Sequence, residues 1–233
     1  MKGIIHSFQS MGAVDGPGLR YVIFMQGCPL RCVYCHNPDT WTPEGRAYSV
    51  EEVFQKIMRY RAYFGKEGGV TVSGGEPLLQ WEFVAALFAK LKNAGIHTAL
   101  DTSGIGSMEG ARTVLEGTDL VLCDVKFSSE AEYQKYCKAD MKKVLSFLRL
   151  TEDMKIPLWI RHVVVPGLTN REESLAEIME ISEGLSNFKK IEFLPFKKLC
   201  TVKYKALGIP FLLEQCDECP DSAIEEIRLK FGV

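Results

Sequence analysis

No stretch of this chain approaches 18 consecutive apolar residues, so no helix is expected to span a membrane. A leader pattern is missing too: Met1-Lys2-Gly3-Ile4-Ile5-His6 runs on into polar and glycine-containing sequence, not a long apolar segment. Excess positive charge is absent. The chain carries 28 Lys and Arg against 30 Asp and Glu, a net charge of −2, which argues against a general nucleic-acid binder. Histidine is scarce: His6, His36, His97 and His162 are the only four. There is no internal repeat and no low-complexity segment. What is left is the expectation of a globular, cytoplasmic chain, whose 233 residues suit one domain. Eight cysteines in such a chain point to metal or redox use more than to disulfides.

Short apolar runs alternate with amphipathic segments almost throughout. Strands are expected at Tyr21 to Gln26, Gly69 to Ser73, His97 to Asp101, Asp119 to Asp124, Pro157 to Val165 and Lys190 to Pro195. Helices are expected at Val50 to Tyr63 with Ser49 as N-cap, Trp81 to Ala94 with Gly95 as stop, Met108 to Leu115, Glu130 to Thr151 in two pieces, Arg171 to Leu185, and Ser222 to Phe231. The strand runs are continuously apolar, which suits parallel strands covered on both faces. Six β/α units fall short of a closed eight-unit barrel. An α/β fold with a partial (β/α)6 barrel is expected over residues 1–233. Its core would span about residues 18–196, with a C-terminal extension from 197 to 233. A flat doubly wound sheet is the alternative.

Polar residues recur just past the strand C-termini, the ends where parallel α/β folds bind ligands. One such segment is Gly27-Cys28-Pro29-Leu30-Arg31-Cys32-Val33-Tyr34-Cys35, with its thiols spaced C-x3-C-x2-C. Three thiolates on one loop can hold a metal centre and leave one metal position free of protein ligands. Structural zinc usually takes four protein ligands. The next cysteine, Cys123, lies in a strand, so an iron–sulfur cluster is the stronger reading and zinc the weaker. Ser73-Gly74-Gly75-Glu76-Pro77 lets backbone approach a ligand closely, and Glu76 could accept from an ammonium. Asp124-Val125-Lys126 ends another strand. Cys123 and Cys137 read as buried small hydrophobes. The Cys216/Cys219 pair reads as two incidental thiols or, joined by Cys200, as an auxiliary metal site; two cysteines are too few for a closed site without outside ligands.

The triplet, with aromatic Tyr34 just before Cys35, resembles the hallmark of the radical S-adenosylmethionine superfamily. The resemblance implies that Cys28, Cys32 and Cys35 hold a [4Fe–4S] cluster whose free iron chelates S-adenosylmethionine. Gly74, Gly75 and Glu76 would meet the methionine amino group. Asp124, Val125 and Lys126 would face ribose and carboxylate, with Tyr34 and His36 also at the cofactor. Asp101 and Thr102, with Asp124, resemble a monovalent-cation site. Val14-Asp15-Gly16-Pro17-Gly18-Leu19-Arg20 and His36-Asn37-Pro38-Asp39-Thr40-Trp41 narrow the likeness to the glycyl-radical-enzyme activating enzymes, in which Asp15, Arg20 and Arg161 would hold the partner's glycine loop. Some relatives insert a cysteine-rich module after the triplet. No cysteine lies between Cys35 and Gly74, which favours pyruvate formate-lyase as partner. A monomer served by a flavodoxin or ferredoxin is implied.

One departure stands out. The enterobacterial relatives place a cofactor-contacting histidine after a Leu-Pro-aromatic segment, whereas here Lys197 follows Leu194-Pro195-Phe196. Lys197 is expected to line the pocket instead. A radical enzyme acting on a small molecule, or a zinc-binding interaction module, are the competing functions.

Overall fold

The apolar runs form one eight-stranded sheet in the computed structural model, which describes residues 1–233. Its strands are β1 (Lys2–Gly12), β2 (Arg20–Met25), β3 (Arg46–Ser49), β4 (Gly69–Gly74), β5 (His97–Thr102), β6 (Leu120–Asp124), β7 (Leu158–Val164) and β8 (Phe188–Pro195). They lie in the order β3-β1-β2-β4-β5-β6-β7-β8. From β2 to β8 every pairing is parallel, giving the six expected β/α units. The helices are α1 (Val50–Met58), α2 (Trp81–Asn93), α3 (Met108–Leu115), α4 (Glu130–Glu132), α5 (Met141–Asp153), α6 (Glu172–Glu183), α7 (Thr201–Leu207) and α8 (Asp221–Phe231).

Two sequence expectations need correction. The N-terminal segment around Ile5 to Phe8 reads as a turn but is strand β1, paired antiparallel to β2 and β3. The helix expected to reach Tyr63 stops at Met58 and gives way to a 3-10 turn at Arg61–Tyr63. Its start is as expected: Ser49 and Glu52 form a reciprocal capping box. Between α4 and α5 the chain makes a π-helical turn, Tyr133–Cys137, ended by Lys138 at φ 56°.

The sheet curls. Thr71 on β4 donates to the Asp15 carbonyl at 2.7 Å, and Arg161 on β7 donates to the adjacent Val14 carbonyl. In a flat sheet, three strand spacings of about 4.8 Å would separate β4 from β7 by roughly 14 Å, beyond an arginine's reach. The curled, open sheet is the partial barrel, not the flat alternative. Its concave face is layered by the period-two alternation of strands. Ala99, Leu120, Leu122 and Trp159 pack together below. Two residues further along the same strands stand Asp101, Asp124 and Arg161. The other face packs against the helices as the main apolar core.

Arg20 sits at the opposite, N-terminal end of β2 and is 1% exposed. It donates to Thr71 Oγ1 at 3.0 Å, to the Val70 carbonyl at 2.6 Å and to His97 Nδ1 at 3.2 Å. Burial without a bonded carboxylate lowers its pKa to about 10. The bond to Nδ1 requires a neutral imidazole, and burial, then the Arg20 cation, holds His97 below its ordinary range. On acidification the unfolded chain protonates this histidine near pH 6.5 while the folded chain resists until lower pH. Stability therefore falls as pH drops below about 6.5. His97→Gln keeps an acceptor oxygen but removes the proton. Its urea midpoint should fall less than the wild-type midpoint on acidification across that window.

Candidate active site

Strand β2 leaves the sheet at Met25, and Gly27, at φ +92°, turns the chain into the cysteine loop. Backbone hydrogen bonds hold the loop on several sides. Gly27 N donates to Thr40 O at 2.9 Å and Glu76 N to Gly27 O at 2.8 Å. Arg31 N reaches Cys137 O at 2.8 Å and Val33 N reaches Tyr136 O at 3.0 Å, so the π-helical turn grips the loop's middle. The Gly74-Gly75 ledge abuts the loop's base directly. A Cβ on Gly74 would stand 2.2 Å from Met25 N, and one on Gly75 would stand 2.1 Å from Gly27 O. Gly74 also has φ +111°. Side chains at either position would push ledge and loop apart.

Loop and ledge open onto a cavity of about 250 Å³ at the strand C-termini. Cys28, Cys32 and Cys35 line it together with Tyr34, His36, Gly74, Gly75, Asp101, Asp124, Lys126 and Arg161. The expected convergence of strand-end segments on one place is therefore present. Burial pushes the Cys28 thiol up to about 12 and that of Cys35 to about 11, so as free thiols they stay protonated at neutral pH. A metal centre would displace those protons on binding. No three His, Cys, Asp or Glu side chains close on a single point as ligands of one ion do. Three thiols on one cavity lining that do not converge on one point would suit an iron–sulfur cluster, which cysteine thiolates hold.

Charged groups line the same cavity. Lys126 Nζ lies 2.9 Å from Asp124. Burial works against this ammonium, but Asp124 and the surrounding thiol and phenol groups outweigh it and raise its pKa. The Lys126 main chain is clamped by two phenols: Tyr34 Oη donates to its carbonyl at 3.3 Å, and its N–H donates to Tyr133 Oη at 2.9 Å. Arg161 bridges Glu192 at 3.0 Å and Asp101 at 3.4 Å. Burial raises Asp101 to about 6, although Arg161 opposes the shift; Ser73 donates to it at 2.6 Å.

Five expected site residues are not on the cavity wall. Glu76 is fully buried beneath the ledge, where its carboxylate accepts from Leu78 N, Thr102 Oγ1, Ser103 N and Ser103 Oγ. Val125 is buried and its carbonyl bonds His162 Nδ1 at 2.7 Å. Asp15 and Arg20 lie under the cavity, within the fold's concave side. Lys197 needs a correction: its ammonium turns to the Cys219 carbonyl at 3.1 Å and Asp221 at 3.2 Å, because the C-terminal segment lies against it. Only its carbonyl faces the loop, accepting from His36 Nε2 at 2.8 Å. Sequence reasoning missed Ser103, which the Asp101-Thr102 strand end could have signalled. It also missed Tyr133 and Tyr204; the latter donates to the Cys35 carbonyl at 3.1 Å, and nothing in its local sequence marks it.

The radical SAM superfamily model matches residues 22–179. A pyruvate formate-lyase-activating enzyme of Staphylococcus epidermidis is 44% identical over 97% of this chain and 94% of its own length. One from Staphylococcus aureus is 43% identical over 97% of this chain and 93% of its own length. Among solved structures, a radical SAM methyltransferase from Sphaerobacter thermophilus superposes with a TM-score of 0.66 at 11% identity, over 99% of this chain and 74% of that one. A domain of a pyruvate-formate lyase-activating enzyme from Bacteroides vulgatus gives 0.56 at 23% identity, over 71% of this chain and 96% of that one. Matched by the family model through its cysteine loop, ledge and Asp124–Lys126 strand end, and by close relatives along almost its whole length, the chain belongs to the radical SAM superfamily and, within it, to the pyruvate formate-lyase-activating enzymes.

Proposed function

We propose that this chain activates pyruvate formate-lyase by removing a hydrogen atom from one glycine α-carbon of that partner. The observation that carries the reading is the single cavity shared by three thiols, a two-glycine ledge and the Lys126 ammonium. The family's cofactors are a [4Fe–4S] cluster and S-adenosylmethionine. Bound and reduced, they supply a 5′-deoxyadenosyl radical.

The chain's residues do the rest. Cys28, Cys32 and Cys35 hold the cluster. The side-chain-free backbone of Gly74 and Gly75 meets the methionine amine. Lys126, fixed by Tyr34 and Tyr133, offers its ammonium to the carboxylate through a charge-assisted hydrogen bond. Asp101, Thr102 and Asp124 stand together as the candidate seat of a monovalent cation beside that carboxylate. Glu76 supports the ledge from behind rather than touching the ligand. Arg161 ties the Val14 carbonyl to the concave face, which fixes the turn carrying Asp15. A partner's glycine loop entering over that turn would pass close to the cavity.

A flavodoxin or ferredoxin supplies the electron in this reading, and the working form is a cytoplasmic monomer. No helix is long and apolar enough to cross a membrane. The test is to mix the reconstituted protein anaerobically with reductant, S-adenosylmethionine and pyruvate formate-lyase, and to look for the glycyl radical by electron paramagnetic resonance. A doublet from the partner supports the proposal. Release of 5′-deoxyadenosine without a protein radical would move the function to another glycyl radical enzyme or a small molecule.

A further inference from the structure

Cys137 is a buried thiol with no part in the proposed reaction, and it stands against one of the cluster cysteines. It closes the π-helical turn Tyr133–Cys137 and is 0% exposed. Backbone hydrogen bonds bracket Cys32 on both sides, from Arg31 N to Cys137 O at 2.8 Å and from Val33 N to Tyr136 O at 3.0 Å. Two bonds so placed hold Cys32 and Cys137 as backbone neighbours, and such proximity is the first requirement of a disulfide. Both side chains are buried in the same apolar core, Cys32 at 7% exposure and Cys137 at 0%. Access is one-sided. Cys32 lines the cavity, and Cys137 does not.

We infer that Cys32 and Cys137 form a disulfide when the cluster is lost to oxidation, which keeps the ligand cysteine in a recoverable state. The inference rests on the reading of Cys32 as a cluster ligand. While iron holds Cys32, its sulfur is not available. Once iron has left, hydrogen peroxide entering the cavity oxidises the Cys32 thiolate to a sulfenic acid; its O–O bond breaks, one oxygen stays on sulfur and the other leaves as water. The Cys137 sulfur then attacks the Cys32 sulfur. The S–S bond forms, the S–O bond breaks, and the hydroxide leaves as water with the proton of Cys137. Two electrons from two thiols have reduced one peroxide. A dithiol reverses the pair by exchange. Without a neighbouring sulfur, the sulfenic acid is open to further oxidation to the irreversible sulfinic state. Cys35 is the rival partner, since its N–H bonds the Cys32 carbonyl in the same turn at 3.1 Å. Cys32, however, is bracketed by backbone bonds to Tyr136 and Cys137.

The experiment uses the full-length protein loaded with iron and sulfide. The cluster absorption is recorded, dilute hydrogen peroxide is added until it bleaches, and free thiols are alkylated before trypsin digestion. Cys137 lies on the short peptide Tyr136–Lys138 and Cys32 on Cys32–Arg46. The expected product is these two peptides joined, roughly 2 Da lighter than their sum and separated again by dithiothreitol. Fragmentation assigns the sulfur as Cys32 or Cys35. In Cys137→Ala the linked peptide disappears, Cys32 is recovered mainly as sulfinic or sulfonic acid, and less cluster returns on reduction and refilling. Recovery of Cys137 as an alkylated free thiol, or of Cys32 joined chiefly to Cys28 or Cys35, overturns the inference. Absence of cluster absorption at the outset would count against the proposed function instead, and the peptide map still reads the thiol pair in that case.

Discussion

Changing any one of Cys28, Cys32 or Cys35 to alanine removes glycyl-radical formation and empties the chain of cluster iron. The loss should exceed the roughly 10–100-fold that follows from disturbing a residue merely supporting a metal centre. Two thiols cannot replace three: of the other lining groups that could ligate iron, Asp124 and Asp101 are tied to Lys126 and Arg161, and His36 is bonded to the Lys197 carbonyl. The fold should survive. Strands β2 and β4 pair through backbone, and the loop's brackets from Thr40, Glu76 and Tyr136 are backbone as well. Iron analysis, visible absorption and circular dichroism on the three variants separate the outcomes. Full iron content in any one of them would remove that cysteine from the ligand set.

Glu76→Ala should cost about 3–5 kcal/mol of stability, one of the larger single-residue losses available to the chain. The carboxylate is 0% exposed and accepts from four donors at 2.5–3.0 Å. Alanine leaves two buried backbone N–H groups and two hydroxyls without an acceptor, although the hydroxyls can turn elsewhere. Glu76→Gln should lose about half as much. It keeps one accepting oxygen, but in either orientation of its amide one backbone N–H, of Leu78 or of Ser103, faces an NH2 group. Urea unfolding of the two variants gives the ordering. Because Thr102 and Ser103 line the cavity, the alanine variant should also bind S-adenosylmethionine more weakly than the glutamine variant. Equal stability for wild type and Glu76→Ala would show that the carboxylate does not brace the ledge.

The parallel half of the sheet was legible in the sequence because strands covered on both faces must be apolar at almost every position. β4 and β6 show this, with every residue buried except the last. β1 was not legible. It sits near the sheet edge, and its eleven residues mix exposed and buried positions without clean alternation. That the cysteines, the glycine ledge and Lys126 would share one cavity was legible because their residue types and spacing mark strand-end segments. Glu76 and Lys197 were located correctly along the chain but not in direction. Which way a long side chain turns depends on what arrives from elsewhere: Thr102 and Ser103 for the first, Cys219 and Asp221 for the second. Tyr133 was hidden inside a run that reads as ordinary helix. Only the π-helical turn aims its hydroxyl at the Lys126 N–H.

The hydroxyl of Tyr204 that holds the Cys35 carbonyl comes 169 residues later in the chain. At a synthesis rate of about 5–20 residues per second, it leaves the ribosome roughly 10–35 s after the thiol it stabilises. The grip from Tyr136 and Cys137 also arrives late, about a hundred residues behind the loop. During translation the three thiols therefore emerge early and wait unsupported, exposed to whatever metals and oxidants the cell contains. The loop reaches its supported form only once the chain is complete.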